Sequence, residues 1–81
     1  MTLQILTLEK TLYFGEVNSV TLPGVHGAFT VLQNHAPMIS ELRHSGEITY
    51  LHGDKIDRLT VGGGFAEVWK NRVTVCTENQ L

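Results

Sequence analysis

A single cysteine, Cys76, stands among the 81 residues, so no disulfide can form within the chain. Small secreted domains usually carry such staples, and their absence points to a reducing, cytosolic setting. No apolar run exceeds three residues, far short of the ~20 that cross a bilayer as a helix. Membrane association is therefore expected only through a partner. The opening Met1 to Leu6 has no basic stretch and alternates polar with apolar residues, unlike a secretory leader. Lys and Arg number six against eight Asp and Glu, for a net charge of −2. A nucleic-acid surface needs a basic stripe, which six scattered cations do not make. The weak acidity gives no electrostatic hold on an anionic membrane either. Aromatic residues are scarce: one Trp, two Tyr and three Phe. That is too few to line a concave ligand groove while also filling a core. Low-complexity stretches, charge blocks and repeats of solenoid period are missing too.

What is present is a β pattern. Two domains of this length would each be too small to bury a core, so residues 1–81 are read as one domain. Its stability is expected to be ~4–12 kcal/mol. Short β-rich runs alternate with Gly, Pro, Asn and Asp at intervals of roughly 8–12 residues, the pattern of a sandwich or barrel. Leu3 and Ile5 alternate with polar neighbours, and Leu6 and Leu8 continue one residue out of phase, which predicts a bulge or a strand passing between sheets. Val17 to Leu22 and Ala28 to Leu32 form further strands, the second followed by a turn over Gln33-Asn34-His35. A hairpin with Lys70-Asn71 as its turn pairs Val68 with Val73 and Ala66 with Val75, and sets Phe65 opposite Cys76. Trp69 then faces Arg72, within reach of a cation–π contact. An earlier hairpin admits two registers. A Gly53-Asp54 turn sets Tyr50 against Asp57; a longer loop sets Ile48 against Val61 and Tyr50 against Leu59. The second is preferred because it gathers four apolar side chains on one face. Helix signals are few; Pro37 to Leu42 could form a short turn. The fold class is all-β, a small antiparallel β-sandwich with its two sheets packed face to face.

Catalytic constellations are not visible. The histidines, His26, His35, His44 and His52, lie too far apart for metal-ligand spacing. Cys76 alternates with Val75 and reads as a small core hydrophobe rather than a nucleophile. Gly62-Gly63-Gly64 lacks the Lys and Ser/Thr of a phosphate loop, so a bulge or a close backbone approach is expected there. The carboxylates are dispersed, and no serine has a nucleophile-elbow context. No catalytic residue, cofactor site or metal site is assigned.

One segment stands out on physical grounds, Leu22 to Met38. Pro23 and Pro37 fix φ, while Gly24 and Gly27 allow angles closed to other residues. The result is two rigid corners around a short strand, the kind of element that presents a binding surface. This segment, Leu22-Pro23-Gly24-x-x-Gly27-x-Phe29-x-Val31-Leu32 and then His35-Ala36-Pro37, closely resembles the epsilon subunit of F-type ATP synthases. The resemblance runs the whole chain: Thr7-x-Glu9-Lys10, Phe14-x-Glu16-Val17, Ser19-Val20-Thr21, Gly46, Gly63-Gly64-Phe65-x-Glu67-Val68 and Val73-Thr74-Val75 fit in order and spacing.

The resemblance implies a β-sandwich of about ten short strands that serves as a non-catalytic rotor subunit of the F1 central stalk. It docks the gamma subunit to the c-ring and couples proton transport to ATP synthesis, one copy per complex. It sits peripherally at the cytoplasmic face of the bacterial plasma membrane. His26, Gly27 and Ala28 match the family's c-ring-facing loop, and His35, Ala36, Pro37 and Met38 the part facing gamma. Many relatives carry an acidic residue at Ala28, Gly at Thr30 and Pro-Gly at Gln33-Asn34, so a looser corner is expected at the last. Longer relatives continue into a two-helix inhibitory domain. This chain ends at Leu81, so coupling without helical inhibition, and without ATP binding, is expected. The alternative is a stand-alone β-sandwich that binds a small ligand.

Overall fold

Period-two alternation dictates most of the architecture. In the computed structural model, which describes residues 1–81, most of the apolar runs become strands with one buried face. There are nine: β1 (Thr2–Leu6), β2 (Thr11–Glu16), β3 (Ser19–Gly24), β4 (Gly27–Val31), β5 (Met38–Leu42), β6 (Gly46–His52), β7 (Lys55–Val61), β8 (Gly64–Trp69) and β9 (Arg72–Thr77). The strands run in the order β2-β1-β9-β8-β5-β3-β6-β7, with β4 on the free side of β3. β5 and β3 touch through one pair only, Gly24 with Leu42. That narrow join divides the path into two layers, β2-β1-β9-β8-β5 and β4-β3-β6-β7, which fold over one core as a curled sandwich. Leu3, Ile5, Val20, Leu22, Val31, Ile48, Val61, Val73 and Val75 fill it, each fully buried.

The bulge expected after Ile5 is present: the β1–β2 register shifts between Ile5 and Leu6. Leu8, beyond it, is fully exposed. The β8–β9 hairpin has the predicted pairs, and both turn residues, Lys70 and Asn71, take positive φ (49° and 62°), as a tight hairpin turn with both central residues left-handed requires.

Several expectations are corrected. β1 and β9 pair parallel, Leu3 beside Val73 and Ile5 beside Val75, so the sandwich is not purely antiparallel. They are the first and last strands, and no short turn forces them antiparallel. Pro37 to Leu42 gives no helical turn. Met38–Leu42 is extended against β8, with Leu42 inward and Ile39 and Glu41 outward. The β6–β7 hairpin takes the tight Gly53-Asp54 turn, with Tyr50 opposite Asp57 and Ile48 opposite Leu59. The two registers differ by two residues, so both keep Ile48, Tyr50, Leu59 and Val61 on one face. Burial could not choose between them; Gly53, at φ 63°, did. Cys76 is exposed rather than core. Val73 and Val75 point inward, so strict alternation sends Cys76 out. Finally, the cation near Trp69 is Lys70, its Nζ 5.5 Å from the ring centroid.

Candidate functional site

The β3–β4 hairpin turns on Val25 and His26, with Gly24 paired to Gly27. Gly27 has φ 130° and open space around it, so glycine is needed there for its backbone angle alone. His26, Gly27 and Ala28 are all exposed. No Lys, Arg, Asp or Glu lies between Leu22 and Gln33. The base of the hairpin is held firmly. Arg43 N donates to Pro23 O (2.9 Å) and Val25 N to Glu41 O (3.0 Å). A Cβ on Gly46 would lie 2.5 Å from Pro23 Cβ, so that glycine lets the Pro23 ring pack down.

The second predicted site begins at the corner after β4. Asn34 has φ 61°, and His35 N donates to Leu32 O (3.2 Å). His35 is half-buried, with Nδ1 2.7 Å from Ala36 O. The looser corner expected from Gln33-Asn34 is not seen. Gln33 Nε2 donates to Val17 O (3.1 Å) and Asn18 O (3.3 Å), while Oε1 accepts from the Met1 nitrogen (2.8 Å) and from Asn71 Nδ2 (3.4 Å). Asn34 N donates to Asn71 Oδ1 (2.9 Å). Side-chain amides thus tie this corner to the β2–β3 and β8–β9 turns, in place of a proline ring.

The structure brings part of the two predicted sites together. A shallow groove of about 590 Å³ lies between the hairpin and β5, and His26, Gly27, Ala28, Phe29, Met38 and Ile39 all line it. His35, Ala36 and Pro37 instead face Trp69 and Lys70 across a separate hollow.

The outer face of the five-stranded layer was missed in the sequence. Register places Leu6, Cys76, Phe65 and Glu41 side by side across β1, β9, β8 and β5. The next row is Phe14, Gln4, Thr74, Glu67 and Ile39. Phe14, Ile39, Phe65 and Trp69 are each more than half exposed. A 450 Å³ hollow at one end is walled by Leu6, Leu8, Phe65 and Cys76. The signal was there in β8: once Ala66 and Val68 point inward, Phe65 and Trp69 must point out.

A different cluster lies over β6. The rings of Tyr13 and Tyr50 are 4.4 Å apart, His52 stacks on Tyr50 at 5.8 Å, and His52 Nε2 lies 2.6 Å from Asp57 Oδ2. Burial, then the nearby Asp57 carboxylate, then Tyr13 raise the Tyr50 hydroxyl above its ordinary 10.0. Tyr13 of β2 and Tyr50 of β6 thus meet ring to ring from the two layers.

Comparison with known proteins gives the fold its relatives. The family described as "ATP synthase, Delta/Epsilon chain, beta-sandwich domain" matches residues 1–80. The chain belongs to this family. Among curated family members, ATP synthase epsilon chains from Magnetococcus marinus, Chlorobaculum tepidum and Leptospira borgpetersenii are similar to it. They are 45% identical over 79 residues, 41% over 78 and 38% over 79. These matches cover 98%, 95% and 98% of this chain and 57%, 88% and 61% of the relatives. The chain therefore spans about three-fifths of the length of several epsilon chains it matches. The same sandwich occurs in the Euglena gracilis mitochondrial ATP synthase, described as OSCP/F1/c-ring (TM-score 0.89, 23% identity, 98% of this chain and 51% of that one). It occurs again in the Tetrahymena thermophila enzyme's central stalk/c-ring (TM-score 0.81, 11% identity, 99% and 64%). At those identities the likeness is one of fold.

Proposed function

We propose that this epsilon-type sandwich is a non-catalytic rotor subunit of the F1 central stalk, docking gamma to the c-ring and so coupling proton transport to ATP synthesis. The observation that carries the proposal is the family match across 80 of the 81 residues. In this reading one copy serves each complex, held peripherally at the cytoplasmic face of a bacterial plasma membrane. The hairpin loop His26–Ala28 faces the ring, and His35, Ala36, Pro37 and Met38 face gamma.

The geometry supports such a role. A torque-bearing joint needs stiff backbone and packed apolar contact, since exposed ion pairs screen with salt and contribute little. The hairpin is pinned through Pro23 and Gly46, and the Gln33 corner through its amide bonds. Ile39 extends the gamma-facing segment onto the outer sheet face, where Phe65 and Trp69 add apolar area of the kind that marks interaction surfaces. Ala28 leaves the ring-facing loop without a carboxylate, so its grip relies on shape. The test is purification of membrane-extracted ATP synthase carrying a tagged copy of this chain. The expected result is the chain at one copy per complex, cross-linking to gamma from position 38 and to the c-ring from position 28. A chain that purifies alone, or cross-links to neither, overturns the proposal.

A further inference from the structure

We propose that the open edge of β4 is completed in the assembled rotor by an extended, uncharged strand of a neighbouring subunit, which hydrogen-bonds to Ala28 and Thr30. The inference rests on the rotor proposal above and adds the mode of contact. In a two-residue hairpin the pair flanking the turn, here Gly24 and Gly27, is the hydrogen-bonded one, and pairs alternate along the ladder. Leu22 with Phe29 and Val20 with Val31 are then bonded pairs, while Pro23 with Ala28 and Thr21 with Thr30 are not.

Three observations agree with this parity. Pro23 has no N–H to give, and its carbonyl accepts from Arg43 on the side away from β4. The Thr21 and Thr30 hydroxyls lie 2.8 Å apart, as side chains of a non-bonded pair do. Ala28 and Thr30 consequently turn their N–H and C=O groups to the free side of β4. None of the backbone hydrogen bonds outside the strands involves a residue of β4.

The other two edges are guarded and this one is not. β7 carries Lys55, Asp57 and Arg58, and the C-terminal residues cover its end through the Val61–Gln80 bridge and Leu81 N to Thr60 O. β2 is bent by the bulge at Ile5/Leu6 and ends in Glu16. β4 reads Gly-Ala-Phe-Thr-Val, with no charge, proline or bulge to repel an incoming strand. An unpaired ladder of this kind is completed by another strand. Its inward residue would meet half-buried Phe29, which favours an apolar side chain there, and uncharged Ala28 and Thr30 offer no counter-ion on the outer side.

The test is hydrogen–deuterium exchange of the isolated chain and of the chain within purified ATP synthase. Slowing of the Ala28 and Thr30 amides by roughly 10-fold or more on assembly is expected. Thr30→Pro deletes an N–H that β3 does not use. It should fold, yet be recovered in the complex at a small fraction of the wild-type yield. Thr30→Lys, which guards the edge and spares every backbone group, should reduce the yield in the same way. Assembly at one copy with both amides still exchanging freely overturns strand addition and leaves the rotor role standing. Failure of the wild-type chain to assemble overturns both. A concentration-dependent dimer of the isolated chain that protects the same two amides overturns the assignment to a partner.

Discussion

Replacing Gly64 with alanine separates backbone angle from backbone contact as the reason a glycine sits at the start of β8. Gly64 has φ 118°, and an added Cβ would collide with the Cys76 carbonyl and lie 2.7 Å from Thr77 Cα. Those atoms belong to β9, which is laddered to β1 on its other side and cannot simply step away. Gly27 supplies the control, with a similar φ of 130° and nothing within 4 Å of an added Cβ. Gly27→Ala should carry only the angular strain, ~1–2 kcal/mol. Gly64→Ala should carry that and an overpacking term of ~1–3 kcal/mol, for a total of ~2–5 kcal/mol. Against a stability of ~4–12 kcal/mol, this leaves a marginal domain. At ~4–8 °C per kcal/mol for a chain of this size, an overpacking term of ~1–3 kcal/mol should set the two melting temperatures at least ~4 °C apart. Urea titration followed by circular dichroism checks the ordering, and an unchanged m-value confirms that both variants unfold from the same compact state. Equal destabilisation by the two substitutions would refute the contact with β9 as the cause.

Gln33→Ala should cost ~1–3 kcal/mol by orphaning its partners at the corner, measured by thermal melts; a loss below 0.5 kcal/mol would mean that the amide bonds do not hold it. Leu22→Ala, at a fully buried position, should cost ~2–5 kcal/mol and shift the urea midpoint accordingly. Tyr50 keeps its proton longer in the folded chain than in the unfolded one. Its stabilising share is therefore complete below pH 10.0 and is lost as pH rises through the folded value. Chemical denaturation from pH 9 to 11.5 should show this alkaline decline shrinking in Tyr50→Phe. Pro37→Gly should lower the yield of assembled complex more than it lowers the melting temperature; proportional losses in both would count against a docking role for that corner.

The strands were legible because each carries its own alternation: Leu3 with Ile5, Val73 with Val75, Ala66 with Val68. What the sequence hid was mostly pairing at a distance. Parallel contact between β1 and β9 leaves no local signature, and β5 is specified by its neighbour β8 more than by its own five residues. The β6–β7 register was hidden for another reason, since a two-residue shift leaves the hydrophobic pattern unchanged and only the turn distinguishes the two. Cys76 was misplaced by weighing residue type above alternation. The β3–β4 hairpin and the His35 corner were legible as rigid corners from Pro and Gly spacing. The outer apolar face needed cross-strand register, which unites residues as distant as Phe14 and Ile39.

The place of β1 between β2 and β9 also sets the order in which the molecule can be built. During synthesis β2 can fold back on β1 early, but the other flank of β1 stays open until Arg72–Thr77 has emerged. At ~5–20 residues per second of elongation, a nascent chain spends several seconds with Leu3 and Ile5 only half covered. The parallel join between β1 and β9 therefore sets a late step, because the five-stranded layer closes only once Arg72–Thr77 has been translated. A ribosome-stalled chain truncated before β9 would lack the completed sheet whose outer face carries Phe65 and Trp69.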